Sequence, residues 1–172
     1  MDRHPGGTAA TRSLIERAGL APGARIIDLG AGGGDSVRCL RALGFDAAGI
    51  DLAPGPGVLP GDILSPPFPP ESFEAALSQC AFLLTGDVPG AFESARRLLV
   101  PGGLLMYSDV VPGGEPALRS LASRGRFEVL SLEDTTDGWR DYYIAALWRG
   151  EAECPPESAK NCRYLAAILK KL

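Results

Sequence analysis

The segment from Ile26 to Gly44, IIDLGAGGGDSVRCLRALG, constrains the fold more than any other part of the chain. It begins with the apolar residues of a buried strand, passes through a glycine cluster and continues with apolar residues at helical spacing. A strand that turns into a helix through glycines presents backbone N–H groups to a nucleotide cofactor. The segment therefore predicts a nucleotide-binding α/β domain, and the details of the cluster have to identify the cofactor.

Strands and helices alternate along the rest of the chain at the spacing of a parallel sheet that is covered on both faces. We predict a Rossmann-like three-layer α/β/α sandwich with about seven strands, mostly parallel, and an antiparallel last strand at CRYLAAILKK. The predicted helices lie near 8–20, 35–43, 88–100, 115–125 and 137–148. The predicted strands lie near 25–29, 46–51, 58–59, 74–78, 104–111, 126–134 and 162–171.

The connection after the second predicted strand is unusually short. Only Leu52–Pro60 separates Asp51 from Gly61, whereas a parallel crossover that contains a helix needs about a dozen residues or more. We therefore predict that the helix after strand two is absent or reduced to a turn.

Length and composition predict one domain over 1–172, with 1–22 as an N-terminal arm and helix. The net charge of −4 argues against a nucleic-acid partner, because nucleic-acid binding depends on clustered Lys and Arg. No apolar run reaches the roughly 18 residues of a membrane span, and the N-terminus lacks a signal-peptide core, so we expect a cytoplasmic protein without a membrane partner. The four cysteines form no C-x-x-C pair and are predicted to be free thiols without a metal.

The glycine spacing separates the possible nucleotides. A P-loop requires a Lys after its glycines, and none follows here. The dinucleotide fingerprint G-x-G-x-x-G fails as well: started at Gly30 it needs a glycine where Asp35 stands, and started at Gly32 it needs one at Val37. The pattern present is D-x-G-x-G-x-G, in which an acidic residue, Asp28, stands two positions before the first glycine.

Two carboxylates stand near this pattern. An acidic residue such as Asp28 suits a cation, for example the α-ammonium of methionine, better than it suits a pyrophosphate. Asp51, at the end of the next strand, is placed to accept hydrogen bonds from ribose hydroxyls. The residues thus point to an adenosyl amino acid.

On these residues the chain resembles the class I S-adenosylmethionine-dependent methyltransferases over nearly its whole length. IIDLGAGGG looks like their first motif, GIDLAP like the acidic second motif, and PGDIL like the segment whose Asp meets the adenine amine. FPPESFEAALSQCAFLL and ARRLLVPGGLLMYSD are similar to the surroundings of strands four and five. Within the superfamily the pattern looks most like small-molecule methyltransferases of the ubiquinone-biosynthesis type. The resemblance implies S-adenosylmethionine as cofactor and S-adenosylhomocysteine as product.

The resemblance also implies roles for residues around the methionine part of the cofactor. The loop Gly30–Gly32, with Ala31 at its centre, would pass under this part, and Asp28 would support its ammonium group. Ser78 and Gln79, at the end of strand four, would face the sulfonium side. For these last two residues, packing or solvent exposure is the alternative.

Around the adenosine part, the resemblance implies two further carboxylate contacts. Asp51 would bind the ribose, with capping of a loop as the alternative, and Leu52 would lie against the adenine face. Asp62 would accept a hydrogen bond from the adenine amino group, with Ile63 beside the ring. For Asp62 and Ile63, a turn and a core position are the alternative.

Candidates for a catalytic base are few. His4, the only histidine, lies in an N-terminal segment able to fold over the site as a lid, with solvent exposure as the alternative. Asp109 follows strand five, at the edge of the sheet where ligands bind, with loop capping as the alternative. Trp139 and Tyr143 share a helix face and line either a pocket or the core.

We predict an S-adenosylmethionine-dependent methyltransferase for a small-molecule acceptor. The N-P-P-Y type of motif found in amino-group nucleic-acid methyltransferases is absent after strand four, where the chain has SQCAF. The alternatives are a non-catalytic S-adenosylmethionine-binding or scaffold protein of the same fold and, third, a dinucleotide oxidoreductase. The acceptor and the oligomeric state stay open, and Val110–Arg126 is the sizeable insertion available for a substrate cap.

Overall fold

The computed structural model describes residues 4–151 and 161–172. Strands and helices alternate there as the sequence predicts, with a 3-10 turn at Leu83–Thr85. The helices are α1 (Gly7–Ala18), α2 (Asp35–Ala42), α3 (Val88–Leu98), α4 (Gly114–Arg124) and α5 (Thr136–Trp148). The strands are β1 (Arg25–Leu29), β2 (Asp46–Asp51), β3 (Leu59–Pro60), β4 (Phe73–Gln79), β5 (Leu99–Pro112), β6 (Phe127–Asp134) and β7 (Cys162–Lys171).

One seven-stranded sheet carries all of these strands, in the order β3-β2-β1-β4-β5-β7-β6. The pairs β1–β2, β1–β4, β2–β3 and β4–β5 are parallel, and β7 is antiparallel to both β5 and β6. The predicted fold class is therefore confirmed, including the antiparallel last strand. Because β2 and β4 lie on opposite sides of β1, the strand order reverses there, and ligands bind at the carboxyl ends of such strands.

The connection between β2 and β3 contains no helix. The chain passes from Asp51 through turns and pairs again only at Leu59 and Pro60, beside Ile50 and Asp51. The predicted loss of this helix is confirmed, and the strand lies one residue later than predicted. The carboxyl end of β2 is consequently left open on this side of the sheet.

Strand β5 is longer than predicted. It begins at Leu99, before the Pro-Gly-Gly sequence at which α3 is predicted to stop. The pairing with β4 passes from Phe73–Leu99 directly to Ala75–Leu104, so the Pro-Gly-Gly residues form a bulge in the strand. Helix α4 then packs on the core through Leu118. The segment 110–126 is thus the end of a strand and a core helix, and the prediction of an insertion for a substrate cap is wrong.

The core has two halves, one on each face of the sheet, since side chains alternate along each strand. Ile27 and Leu29 of β1 belong to the half covered by α3 and α4. Ile26 belongs to the other half, together with Leu14 of α1 and Leu40 of α2. Helix α1 is therefore fixed on the face of the sheet that also carries α2.

Gly49 of β2 marks a close approach between β2 and the segment that follows β1. A Cβ at this position would stand 2.6 Å from Val37 Cγ2 and 2.7 Å from Ala31 Cβ. Real Cβ atoms do not tolerate such distances, so glycine is needed where β2 passes under the glycine loop and the first turn of α2.

We predict that Gly49→Ala lowers the free energy of unfolding by about 1–3 kcal/mol, because the added methyl group overpacks this contact. Gly138→Ala in α5 is the matched control. Its Cβ would meet nothing within 4 Å, and the helix gains about 0.5–1 kcal/mol from alanine. Urea unfolding of both variants measures the two effects, and equal shifts of the same sign would contradict this packing.

Candidate functional site

Two neighbouring cavities open at the carboxyl ends of β1, β2 and β4 and together form a cleft. The first, here called the glycine-loop cavity, has a volume of about 200 Å³ and is lined by His4, Thr8, Thr11, Asp28, Gly30, Ala31, Gly32, Gly33, Asp35, Ser36, Gln79, Cys80 and Leu84. The second, the Asp51 cavity, has a volume of about 300 Å³ and is lined by Gly30, Asp51, Leu52, Gly61, Asp62, Ile63, Leu64, Cys80, Ala81, Leu84 and Thr85.

The glycine loop separates the two cavities and requires glycine for steric reasons. Gly30 has a φ of 90°, and a Cβ on it would stand 2.3 Å from Ala81 Cβ. The backbone N–H groups of Gly30 and Ala31 both donate to the Ile50 carbonyl, at 3.0 and 2.9 Å. The loop is thus a cradle of bare backbone, and any side chain at position 30 would fill it.

Asp28 lies at the base of the glycine-loop cavity as a buried, unpaired acid. The residue is only 3% exposed, and within the described residues neither a hydrogen-bond donor nor a cation offsets its burial. Burial, followed by repulsion from Asp51, raises the pKa of Asp28 to about 7. A buried carboxyl group without a partner costs stability, so a site that keeps one suits a ligand carrying a positive charge.

Asp51 at the end of β2 lines the Asp51 cavity and bonds to the glycine loop. Its Oδ2 accepts a hydrogen bond from the Gly32 N–H at 2.8 Å, and its Oδ1 accepts one from the Ala53 N–H at 2.8 Å. Each carboxylate oxygen retains a further lone pair. Asp51 can therefore hold the loop and accept hydrogen bonds from a ligand at the same time.

The Asp51 cavity has apolar walls and two acidic groups, Asp51 and Asp62. Leu52 is 81% exposed and lines this cavity together with the buried Ile63. Asp62 is exposed, and its Oδ1 accepts a hydrogen bond from the Leu64 N–H at 2.9 Å. Ser94 holds the Ile63 carbonyl at 2.6 Å and so fixes this wall to α3. A flat ring with a polar edge fits such walls.

Gln79 lines the cleft, and Ser78 does not. Gln79 lines the glycine-loop cavity, and its Oε1 accepts a hydrogen bond from Thr11 Oγ1 at 2.7 Å. Ser78 is fully buried, its Oγ has no partner within the described chain, and it lines neither cavity of the cleft. The prediction for Ser78 is corrected, because successive side chains of a strand point to opposite faces.

Of the two candidate bases, His4 lines the cleft and Asp109 does not. His4 is half-buried and lines the glycine-loop cavity. Asp109 is 3% exposed and accepts hydrogen bonds from the N–H groups of Leu83 at 3.0 Å and Val110 at 2.8 Å. Although burial raises the pKa of Asp109, this side chain lines no part of the cleft. The candidacy of Asp109 is therefore corrected to the capping of the loop after β4.

Cys80 is a cleft residue that sequence reasoning did not assign to the site. It lines both cavities, has a φ of 55°, and its Sγ lies 3.1 Å from Tyr164 Oη. Burial raises the pKa of Cys80 to about 12, so the group is a thiol at neutral pH and no nucleophile. Since Tyr164 is 84 positions away in the chain, no local sequence signal predicts this pair.

The described ranges, 4–151 and 161–172, contain neither a candidate metal cluster nor a membrane-spanning helix. No group of three or more His, Cys, Asp or Glu side chains there is placed to hold a metal ion. No described helix combines the length and the apolar character needed to cross a membrane. Cys39 and Cys80 are free thiols, as predicted. Cys154, predicted to be a free thiol as well, lies outside the described residues.

Comparison with known proteins identifies related sequences. Residues 27–107 match the profile of a family described as a methyltransferase domain. A malonyl-[acyl-carrier protein] O-methyltransferase from Serratia marcescens is 29% identical over 111 residues, covering 58% of this chain and 44% of the relative. A demethylmenaquinone methyltransferase from Renibacterium salmoninarum is 22% identical over 176 residues, covering 87% and 74%. This chain spans less than half the length of several curated relatives that it matches.

Solved structures share the fold at low sequence identity. The [4+2]-cyclase SpnF has a TM-score of 0.77 and 21% identity, with coverage of 99% of this chain and 83% of that protein. A geranyl diphosphate C-methyltransferase from Streptomyces coelicolor A3(2), solved with S-adenosyl-L-homocysteine, has a TM-score of 0.74 and 15% identity, with coverage of 96% and 79%. The first of these two names describes a cyclase, so the fold does not by itself specify one reaction.

We predict that Asp28→Asn stabilises the protein at pH 8 by about 1–3 kcal/mol, because it removes a buried, unpaired negative charge. The folded-state pKa of Asp28 is raised to about 7, so the native state binds this proton more tightly than the unfolded chain does. The destabilisation by Asp28 therefore grows as the pH rises from about 4 to 7. Urea unfolding at pH 8 and pH 5 should show a larger gain at pH 8, and a loss of stability at pH 8 would contradict the assignment.

Proposed function

Because residues 27–107 match a methyltransferase domain and the motifs resemble those of the class I S-adenosylmethionine-dependent enzymes, we propose that this chain transfers a methyl group from S-adenosylmethionine to a small-molecule acceptor. The family match and the curated relatives confirm the resemblance that the sequence predicts. The observation that carries the proposal is the unpaired, buried Asp28 beside a loop that only glycine can form.

Each part of this cofactor has a proposed place in the cleft. In the glycine-loop cavity, the Asp28 carboxylate would hold the α-ammonium group, and the backbone of Gly30–Gly32 would lie along the methionine part. In the Asp51 cavity, the Asp51 carboxylate would accept hydrogen bonds from the ribose. The adenine ring would lie between Leu52 and Ile63, and its amino group would donate to Asp62, which completes the predicted set apart from Ser78.

The protein's part in the reaction is to bind, orient and shield. When bound, S-adenosylmethionine supplies an electrophilic methyl group on its sulfonium centre. Leu84 is 84% exposed and lines both cavities. A bound ligand that covers Leu84 would exclude water from the place where the two cavities meet. His4, which lines the glycine-loop cavity, is a group at the cleft that can accept a proton from an acceptor. Cys80 stays protonated and shapes the junction without reacting.

The names of the relatives support a small molecule as acceptor but do not agree on its chemical class. They name methyltransferases of a malonyl group on acyl-carrier protein, of phosphoethanolamine and of demethylmenaquinone. The proposal extends to a single domain over 1–172, a cytoplasmic location, and no nucleic-acid or membrane partner, in line with the acidic composition. No specific observation favours the non-catalytic alternative.

Isothermal titration with S-adenosylhomocysteine tests the binding half of the proposal. We expect the wild-type protein to bind it and Asp51→Ala to bind it about 10–100-fold more weakly, because charge-assisted hydrogen bonds to the ribose are lost. Asp51→Asn separates this effect from loss of the bond to Gly32. Asp46→Ala, at the exposed amino end of β2, is the matched control and should bind normally. Unchanged affinity in both Asp51 variants would refute the assignment.

Methyl transfer itself is tested with S-adenosylmethionine labelled in the methyl group and a panel of thiols, phenols, amines and carboxylates. The proposal expects label in at least one class of acceptor. Binding of S-adenosylhomocysteine without transfer to any class would favour the non-catalytic alternative.

A further inference from the structure

A buried hydrogen bond joins α1 to the end of β4. Thr11 Oγ1 donates to Gln79 Oε1 at 2.7 Å across 68 positions of the chain. The two residues are only 1% and 8% exposed, yet both line the glycine-loop cavity. The pair is therefore part of the lining of the proposed cofactor site, although α1 belongs to none of the motifs that point to the cofactor.

We propose that Gln79 donates a side-chain N–H to the carboxylate at the amino-acid end of the cofactor, and that Thr11 is the positioning residue that sets the orientation of the Gln79 amide. This role of Gln79 is distinct from the sulfonium contact that the resemblance implies. The inference rests on the proposed function and deepens it by assigning residues that recognise the second charge of the amino acid.

The lengths of the contacts of Thr11 define which way round the Gln79 amide lies. A separation of 2.7 Å is typical of an O–H···O bond, whereas N–H···O bonds are usually about 2.9–3.0 Å long. The second acceptor near the Thr11 hydroxyl, the Gly7 carbonyl, is 3.4 Å away. The Thr11 proton therefore goes to the Gln79 oxygen, and the two N–H groups of Gln79 lie on the other side of the amide.

Ser108 and Tyr164 support the nitrogen side of this amide, and with Gln79 they form a wall of hydrogen-bonded side chains. Gln79 Nε2 donates to Ser108 Oγ at 3.5 Å, and Tyr164 Oη donates to the same oxygen at 3.3 Å. The contact at 3.5 Å is long for a hydrogen bond and uses one of the two hydrogens on Nε2. The Gln79 amide is thus held in place and keeps donor capacity for a ligand.

The charges around the glycine-loop cavity make such a donor necessary. Among the described residues that line this cavity there is no Lys or Arg, so a carboxylate bound there depends on neutral donors or on His4. Gln79 is buried, whereas His4, Thr8 and Ser36 are half-buried or exposed. A hydrogen bond from a buried, pre-oriented donor is stronger than one from an exposed side chain, because the surrounding dielectric constant is lower.

The register of the sheet places Gln79 on the same face as Asp28. Asp28 of β1 pairs with Leu77 of β4, and Gln79 follows Leu77 by two residues. Because side chains of one strand alternate between faces, Leu77 and Gln79 share the face to which Asp28 belongs. An acid for the ammonium group and a donor for the carboxylate therefore lie one strand and two residues apart, on the face that also carries α1.

The test compares two ligands that differ only in the carboxylate. S-adenosylhomocysteine carries it, and decarboxylated S-adenosylhomocysteine keeps the adenosine, the thioether and the amine without it. Calorimetry gives the affinity for each, and their ratio is the carboxylate selectivity of a variant. A change that only loosens the packing of α1 lowers both affinities and leaves this ratio unchanged.

We expect Thr11→Val, which removes the hydroxyl and keeps the shape of the side chain, to lower the carboxylate selectivity about fivefold or more. Affinity for the decarboxylated ligand should stay within about twofold of wild type. Thr11→Ser keeps the hydroxyl and should retain the selectivity. Gln79→Met, which removes the donor itself, should lower the selectivity at least as far, and it decides the question if Thr11→Val does not fold.

Thr136→Val is the matched control. Thr136 is also a buried threonine, 5% exposed, whose hydroxyl accepts a hydrogen bond from the Tyr164 N–H at 3.0 Å, and it lines neither cavity of the cleft. Thermal unfolding should show that this variant is destabilised, while its carboxylate selectivity stays that of wild type.

Equal losses for both ligands in Thr11→Val, no rescue by Thr11→Ser, unchanged selectivity in Gln79→Met, or an equal loss of selectivity in Thr136→Val would each overturn the inference and leave the proposed function standing. Failure of the proposed function looks different, because wild-type protein would then bind neither ligand, and the inference would be refuted with it.

Discussion

Three hydrogen bonds hold the glycine loop to the end of β2, and the whole cleft depends on that contact. The Ile50 carbonyl accepts from the N–H groups of Gly30 and Ala31, and the Asp51 carboxylate accepts from Gly32. Because these N–H groups bond to β2, they are not available to Asp28, which lies beneath the loop without a donor. The same bonds that shape the cradle therefore leave one buried carboxyl group unpaired.

The unpaired carboxyl group of Asp28 is the place where the binding site lowers the stability of the fold. The glycines and the Gly49 contact are needed for folding and binding alike, whereas Asp28 opposes folding when it is ionised. Natural proteins accept such local losses at binding sites, where the ligand supplies the missing partner. The wall of Gln79, Ser108 and Tyr164 shows the opposite arrangement, since its polar groups bond to one another and bury no unpaired charge.

The sequence predicts much of this structure because its strongest signals are local. The strand, the glycines and the start of α2 follow from spacing, and the nearness of Asp28 and Asp51 follows because parallel strands end at one edge of the sheet. The face on which Ser78 points, and the bond from Leu83 that engages Asp109, depend on register and loop conformation. Contacts such as Cys80–Tyr164 join distant positions, which no local pattern encodes.

Whether Asp28 is a buried acid kept for a positively charged ligand can be measured at its own carboxyl group. The pH titration of the Asp28 side-chain carboxyl by carbon-13 NMR, with Asp28→Asn to assign the signal, gives its pKa with and without S-adenosylhomocysteine. We expect a pKa of about 7 in the free protein and a fall of about one unit or more on saturation, because an ammonium group favours the charged form. A pKa near that of an ordinary Asp in the free protein, or one that S-adenosylhomocysteine leaves unchanged or raises, would contradict it.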